Sequence, residues 1–279
     1  MKNFIQQYSI FLLAGTILTS MALPQLSISA KSLEQIQAQT TLDKKTSNPS
    51  TESLPTSVAQ RVKREVARRF KIPVSQLQIA AAQSWTWDGC FGLPAPNGFC
   101  TKIAISGWQV IVTGQQRIWV YHTNQNGSQV RINQAASLTN QPTQVQLGFI
   151  PEEQAVQNPG ESIVFQSIAQ GGIADKTTVT KLTNDGIITR QVIAPNIRST
   201  PVVIKRLTRE QMNTFLEQVR QQRFDHLNRL RYFSDRGADF EATKLINAST
   251  VVEYANPLQE ELPSGLQQAI AIWQKLLRS

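Results

Sequence analysis

The stretch from Trp85 to Cys100 constrains the fold of this chain more than any other. It holds both cysteines, two of the five tryptophans, and a run of turn formers: Gly89, Gly92, Pro94, Pro96, Asn97 and Gly98. Proline lacks a backbone donor and fixes φ, so this stretch cannot continue as a helix or as a central strand. Yet Trp85, Trp87, Phe91, Leu93 and Phe99 are too much apolar surface to leave in water. The pattern predicts a cross-linked Ω-type loop folded over its own aromatics, with Trp85, Trp87, Asp88 and Phe91 as its candidate surface.

The N-terminus decides how the cysteines are read. Lys2 precedes an apolar run from Ile10 to Leu23, followed by Ile28-Ser29-Ala30. A positive start, an apolar centre and a small residue to cut after are the marks of a secretory signal peptide, here residues 1–30. Gly15, Thr16, Thr19, Ser20 and Pro24 interrupt the run well short of the roughly 20 apolar residues that span a bilayer. No cysteine lies near the cut, which excludes a lipid-modified N-terminus. The chain is therefore expected in the periplasm or outside the cell, where two cysteines separated by turn residues most simply pair as Cys90–Cys100. Closing so short a loop contributes roughly 2–3 kcal/mol through the unfolded state. The competing reading, Cys90 as a nucleophile, lacks a base nearby in sequence, because the two histidines are His122 and His226.

The formal charge of +9 falls to +8 once Lys2 leaves with the signal. A basic exported protein meets anionic lipid, polysaccharide or acidic proteins rather than nucleic acid. Residues 31–55, rich in Ser, Thr, Gln and Lys, read as a disordered leader. Order begins at Ser57, where Val58, Val62, Val66 and Phe70 recur every four positions and predict a helix to Phe70. Thr56 or Ser57 caps it and Pro73 stops it. Its other face carries Arg61, Lys63, Arg64, Arg68, Arg69 and Lys71, either the solvated back of a helix packed on a sheet or a membrane-surface face.

Gln76 to Ala82 reads as a strand leading into the cysteine loop. Trp108–Thr113 and Arg117–Thr123 follow, with Gly114-Gln115 as the turn between them, and Asn126-Gly127 signals a hairpin to a strand at Gln129–Ile132. This order, with its Tyr121-to-Ser128 turn, resembles the PepSY-type modules of exported bacterial proteins over residues 56–133. The cysteine loop is not part of that general pattern. Residues 134–160, with Pro142, Pro151 and Pro159, read as a linker that partly docks.

Beyond it, strands are expected at Ile163–Ala169, Thr177–Leu182 and Ile187–Ile193. Thr208 and Gln211 form a capping box for a helix to about Arg223. A strand to Ile246, another at Val251–Tyr254 and a last helix from Pro263 complete the pattern. The strand ending in Gly171-Gly172-Ile173-Ala174, the middle helix, Ala238-Asp239-Phe240, and Leu262-Pro263 before a helix bearing Trp273 are together similar to emfourin-like proteins, over residues 161–279. That resemblance implies inhibition of a thermolysin-type metalloprotease, with Gly171, Gly172, Ile173 and Ala174 at the contact. The chain departs from the family at Asp175-Lys176, where a second small residue would be more typical. On its own terms the glycine pair serves either a close backbone approach to a partner or a β-bulge.

The fold class expected is therefore α+β, in two small domains that each pack an antiparallel sheet with one or two helices. No His-Glu-x-x-His pair, Gly-x-Ser-x-Gly elbow or phosphate-cradling loop is present. Asp225-His226 reads as a packed helix end and Glu260-Glu261 as charge at a helix N-terminus. Neither metal nor cofactor is expected. The function expected is non-enzymatic binding, with a secreted metalloprotease as partner. The alternative is an envelope protein held to an anionic polymer or membrane surface by its basic helix and aromatic loop.

Overall fold

A computed structural model of the chain describes residues 53–95, 98–140, 142–155, 162–172, 175–234, 240–247 and 250–278. Residues 1–30, expected to be a signal peptide, and the expected leader up to residue 52 lie outside the described residues, as do Ile173, Ala174, Ala238 and Asp239. The fold is mixed α+β and mostly antiparallel, in two sheet-based parts.

Helix α1 (Thr56–Phe70) forms where the four-residue stripe predicts it, and Val58, Val62 and Val66 are fully buried. Its N-cap is Pro55, with no side-chain cap, and Lys71 ends it in the left-handed region (φ 56°) before Pro73 is reached. The stripe packs on a four-stranded sheet, in the order β1 (Gln78–Trp87), β2 (Ile105–Gly114), β3 (Arg117–Asn124), β4 (Val130–Leu138). Trp108, Val110, Val112, Trp119 and Tyr121 face the helix, and burial pushes the Tyr121 hydroxyl pKa well up. The β2–β3 turn is Gln115-Gln116, both at positive φ (53° and 57°), one residue later than expected. Such a two-residue turn matches strand twist but is normally built with Asn or Gly, so its sequence signal was weak.

The second sheet has nine strands: β5 (Gln146–Phe149), β6 (Ile163–Gly171), β7 (Lys176–Thr183), β8 (Ile187–Ala194), β9 (Ile197–Arg198), β10 (Val202–Arg206), β11 (Leu230–Phe233), β12 (Ala242–Asn247) and β13 (Thr250–Ala255). Its order is β10-β8-β7-β6-β12-β13-β11-β5, with β9 also on β8. Among the described strands, only β11 and β13 run parallel. Helix α2 (Arg209–Gln221) starts at the expected capping box, where Thr208 accepts from Gln211 N and Gln211 accepts from Thr208 N. Phe215 of α2 and Trp273 of α3 (Ser264–Arg278) meet Phe165 of β6 at ring distances of 5.1 and 4.9 Å.

Residues 134–160, read as a linker, supply the end of β4 and all of β5, which pairs with β11. The outward face of the first sheet (Ile111, Ile118, Val120, Ala136) joins Leu147, Tyr232, Leu227 and Leu266 in a single apolar core. The buried Tyr232 hydroxyl donates to Ala136 O (2.9 Å) across it. A fragment of residues 161–279 loses this cover and its edge strand. We expect it to show no cooperative calorimetric melt, whereas residues 53–279 melt cooperatively; a fragment that melts near the parent would instead favour two independent domains.

Candidate functional site

The cysteine loop is built on the end of β1. Trp85 and Trp87, read from sequence as loop residues, continue the strand and pair with Gly107 and Ile105 of β2. Trp87 lies face to face with His122 of β3 (ring centroids 4.1 Å, planes 11° apart) and donates its indole N–H to Thr123 O (3.0 Å). Gly107 makes this crossing available: a Cβ there would stand 2.8 Å from Trp87 Nε1 and collide with Thr123 O. Trp85 stacks on Trp87 at 5.5 Å, and the Arg229 guanidinium lies over Trp85.

Asp88 then turns the chain, its Oδ1 accepting from Cys90 N (3.0 Å) and Gly92 N (2.9 Å). Gly89 N donates to Thr101 O, and Cys90–Cys100 are bonded as expected. Asp88, Cys90 and Cys100 stand close enough to share a cation, but the disulfide consumes both thiolates. The candidate surface residues Trp87 and Phe91 are 4% and 1% exposed, a correction to the surface role expected of them. Phe91 is turned inward by its left-handed backbone (φ 62°), under the Arg131 guanidinium 4.5 Å from its ring. Outward-facing instead are Phe99, 89% exposed, and Ile103.

Both histidines, distant in sequence, grip this loop. His122 Nδ1 donates to Phe91 O (2.7 Å). Its Nε2 accepts from the amides of Gln109 (3.4 Å) and Asn133 (3.3 Å), while Gln83 donates to Gln109 Oε1 and Asn133 donates to His226 O. Burial drops the His122 pKa to about 4, the Phe91 carbonyl opposing and His226 adding to the fall. Two amide donors aimed at Nε2 leave no acceptor for a second proton. His226 Nε2 (3.1 Å) and Arg223 Nη1 (2.7 Å) both donate to Pro94 O, and burial lowers the His226 pKa as well, against the pull of Asp225. Asp225 stands 3.9 Å from His226, within a short 3-10 turn whose Phe224 and Leu227 are buried. Sequence reasoning missed this cluster because only the β2–β3–β4 register and the 3-10 turn bring its members together.

The glycine pair lies elsewhere, in the β6–β7 hairpin turn. Gly171 pairs with Lys176, and the bulge in this strand pair is at Ile163/Phe165, so the glycines are turn and not bulge residues. Gly171 and Gly172 have φ of 106° and 76°, and Asp175 N closes the turn on Gly172 O (3.0 Å). A Cβ at Gly172 would meet nothing within 4 Å.

The basic residues of α1 form a third surface. Arg61, Arg64, Arg68 and Lys71 are exposed, and Arg68 pairs with Glu65 (2.9 Å). Among the described residues, no helix is long and apolar enough to cross a membrane.

Residues 59–132, from α1 into β4, match a family described as a domain of unknown function (DUF8738). No curated protein and no solved structure matches the chain.

A folded-state histidine pKa below its ordinary 6.5 means the unfolded chain takes up the proton first. Stability is then full above about pH 6.5 and is lost as pH falls toward the folded pKa of about 4, by roughly 3 kcal/mol at most for His122. His226 acts in the same direction. Melting temperature followed from pH 7 to 4 should fall across this window. A His122→Gln protein should start lower at pH 7 and show a shallower slope; an equal slope would remove His122 as the cause.

Proposed function

We infer that this chain is an exported, non-enzymatic binding protein that meets its partner through the backbone of the β6–β7 turn. The observation that carries the reading is Gly172, held at positive φ with open space where a side chain would stand. Removing side-chain bulk at a turn carried by paired strands lets two backbones approach closely. The emfourin resemblance supplies the partner class, a secreted thermolysin-type metalloprotease, with Ile173 as an apolar anchor for a hydrophobic subsite. The disulfide is in keeping with an oxidising compartment. Titrating a thermolysin-type protease with wild type and with Ile173→Asp tests this. Loss of the anchor should weaken inhibition by a few kcal/mol. Equal inhibition by both, or none by either at micromolar concentration, overturns the site.

A second reading, attachment to an anionic envelope polymer or membrane surface, is favoured by the row of Arg61, Arg64 and Arg68. These lie three and four residues apart, where like charges on a helix repel, and only Arg68 has an acidic partner among the described residues. The apolar stripe of α1 is spent on the sheet, so contact would be electrostatic, without insertion. Salt-sensitive retention of the mature chain on an anionic polysaccharide should be lost in the Arg61→Gln/Arg64→Gln protein. Undiminished retention would set this row aside.

A further inference from the structure

The four-stranded sheet ends at β1 and the nine-stranded sheet ends at β5, and these two edges border a crevice of about 410 Å³. Small residues leave the room. Ala80 and Ala81 sit at a bulge in β1, where the register with β2 slips between Ile79 and Ala81, and Gly148 of β5 has no side chain beside Phe233. Leu147 and Ile118, both buried, give the crevice an apolar wall.

One cation lines this crevice. Arg117 opens β3 directly after the Gln115-Gln116 turn and is half-buried. Its Nε is withdrawn from solvent with no hydrogen-bond partner, and among the described residues the guanidinium has neither an acceptor nor an ion pair. No lining residue is acidic. Glu261, which does not line the crevice, accepts from Thr143 Oγ1 and Gln144 N. A guanidinium that is partly desolvated and unpaired is disfavoured unless an anion meets it, and its planar fork matches a carboxylate. Concave apolar sites of this size, with one fixed charge, are typical of small-molecule binding.

We propose that this crevice binds a small organic carboxylate, its apolar body against Leu147, Ile118 and Phe233 and its charge on Arg117. The site is separate from the β6–β7 turn, and it stands or falls without the protease reading.

The test is calorimetric titration of the mature chain with octanoate, octyl phosphate and octanol. Octanoate should bind saturably, and octanol at least tenfold more weakly. Arg117→Gln should weaken octanoate at least tenfold while its melt stays unchanged or rises, since an unpaired cation has gone. Ala80→Leu, which narrows the crevice and keeps Arg117, should weaken octanoate comparably; it also serves if Arg117→Gln fails to fold. The proposal is overturned by no saturation at millimolar octanoate, by octanol binding as well as octanoate, or by binding that both variants leave intact. Binding of octyl phosphate alone would overturn the carboxylate assignment.

Discussion

Everything in this structure depends on one apolar contact, the face of the four-stranded sheet turned away from α1. An antiparallel sheet can leave one face in water, but here Val120, Ile111 and Ala136 close over Leu227, Leu147 and Tyr232 instead. The first sheet is therefore covered on both faces, by α1 and by the second part of the fold. The buried Tyr232 hydroxyl, whose pKa burial drives far upward, finds its acceptor in Ala136 O, so the junction is satisfied in polar as well as apolar terms.

The cysteine loop fastens the same junction at its rim. Proline-rich segments have few backbone donors, and their carbonyls need partners when they approach a core. Phe91 O and Pro94 O obtain those partners from His122, Arg223 and His226, from both halves of the chain. The disulfide shortens the loop's unfolded ensemble, while the Asp88 turn and the inward Phe91 fix its direction. The result is a loop held from beneath that still presents Phe99 and Ile103 to solvent.

The three surfaces proposed for binding are of different physical kinds. The β6–β7 turn offers bare backbone, α1 offers a row of cations whose mutual repulsion is only partly relieved by Glu65, and the crevice at Arg117 offers one charge in an apolar wall. Each sits on regular structure rather than on a long loop. That limits the conformational entropy a partner must remove on binding.

Local chemistry was legible in the sequence wherever a signal was complete within a few residues. The valine stripe of α1, the Thr208–Gln211 capping box, the Asn126-Gly127 hairpin and the cysteine pair each specify their structure through neighbours along the chain. What needed distant neighbours was not legible. Strands β5, β9, β10 and β11 have two to five residues, too few for a period of two to stand out, and they are strands only because β8, β11 and β13 supply their hydrogen bonds. Trp85 and Trp87 look like loop aromatics beside so many turn formers, yet pairing with β2 keeps them extended and turns Trp87 onto His122. Arg117 is the clearest case. Any sequence shows an arginine; only the meeting of two sheet edges decides that this one lines an apolar crevice in which, among the described residues, no acid meets it.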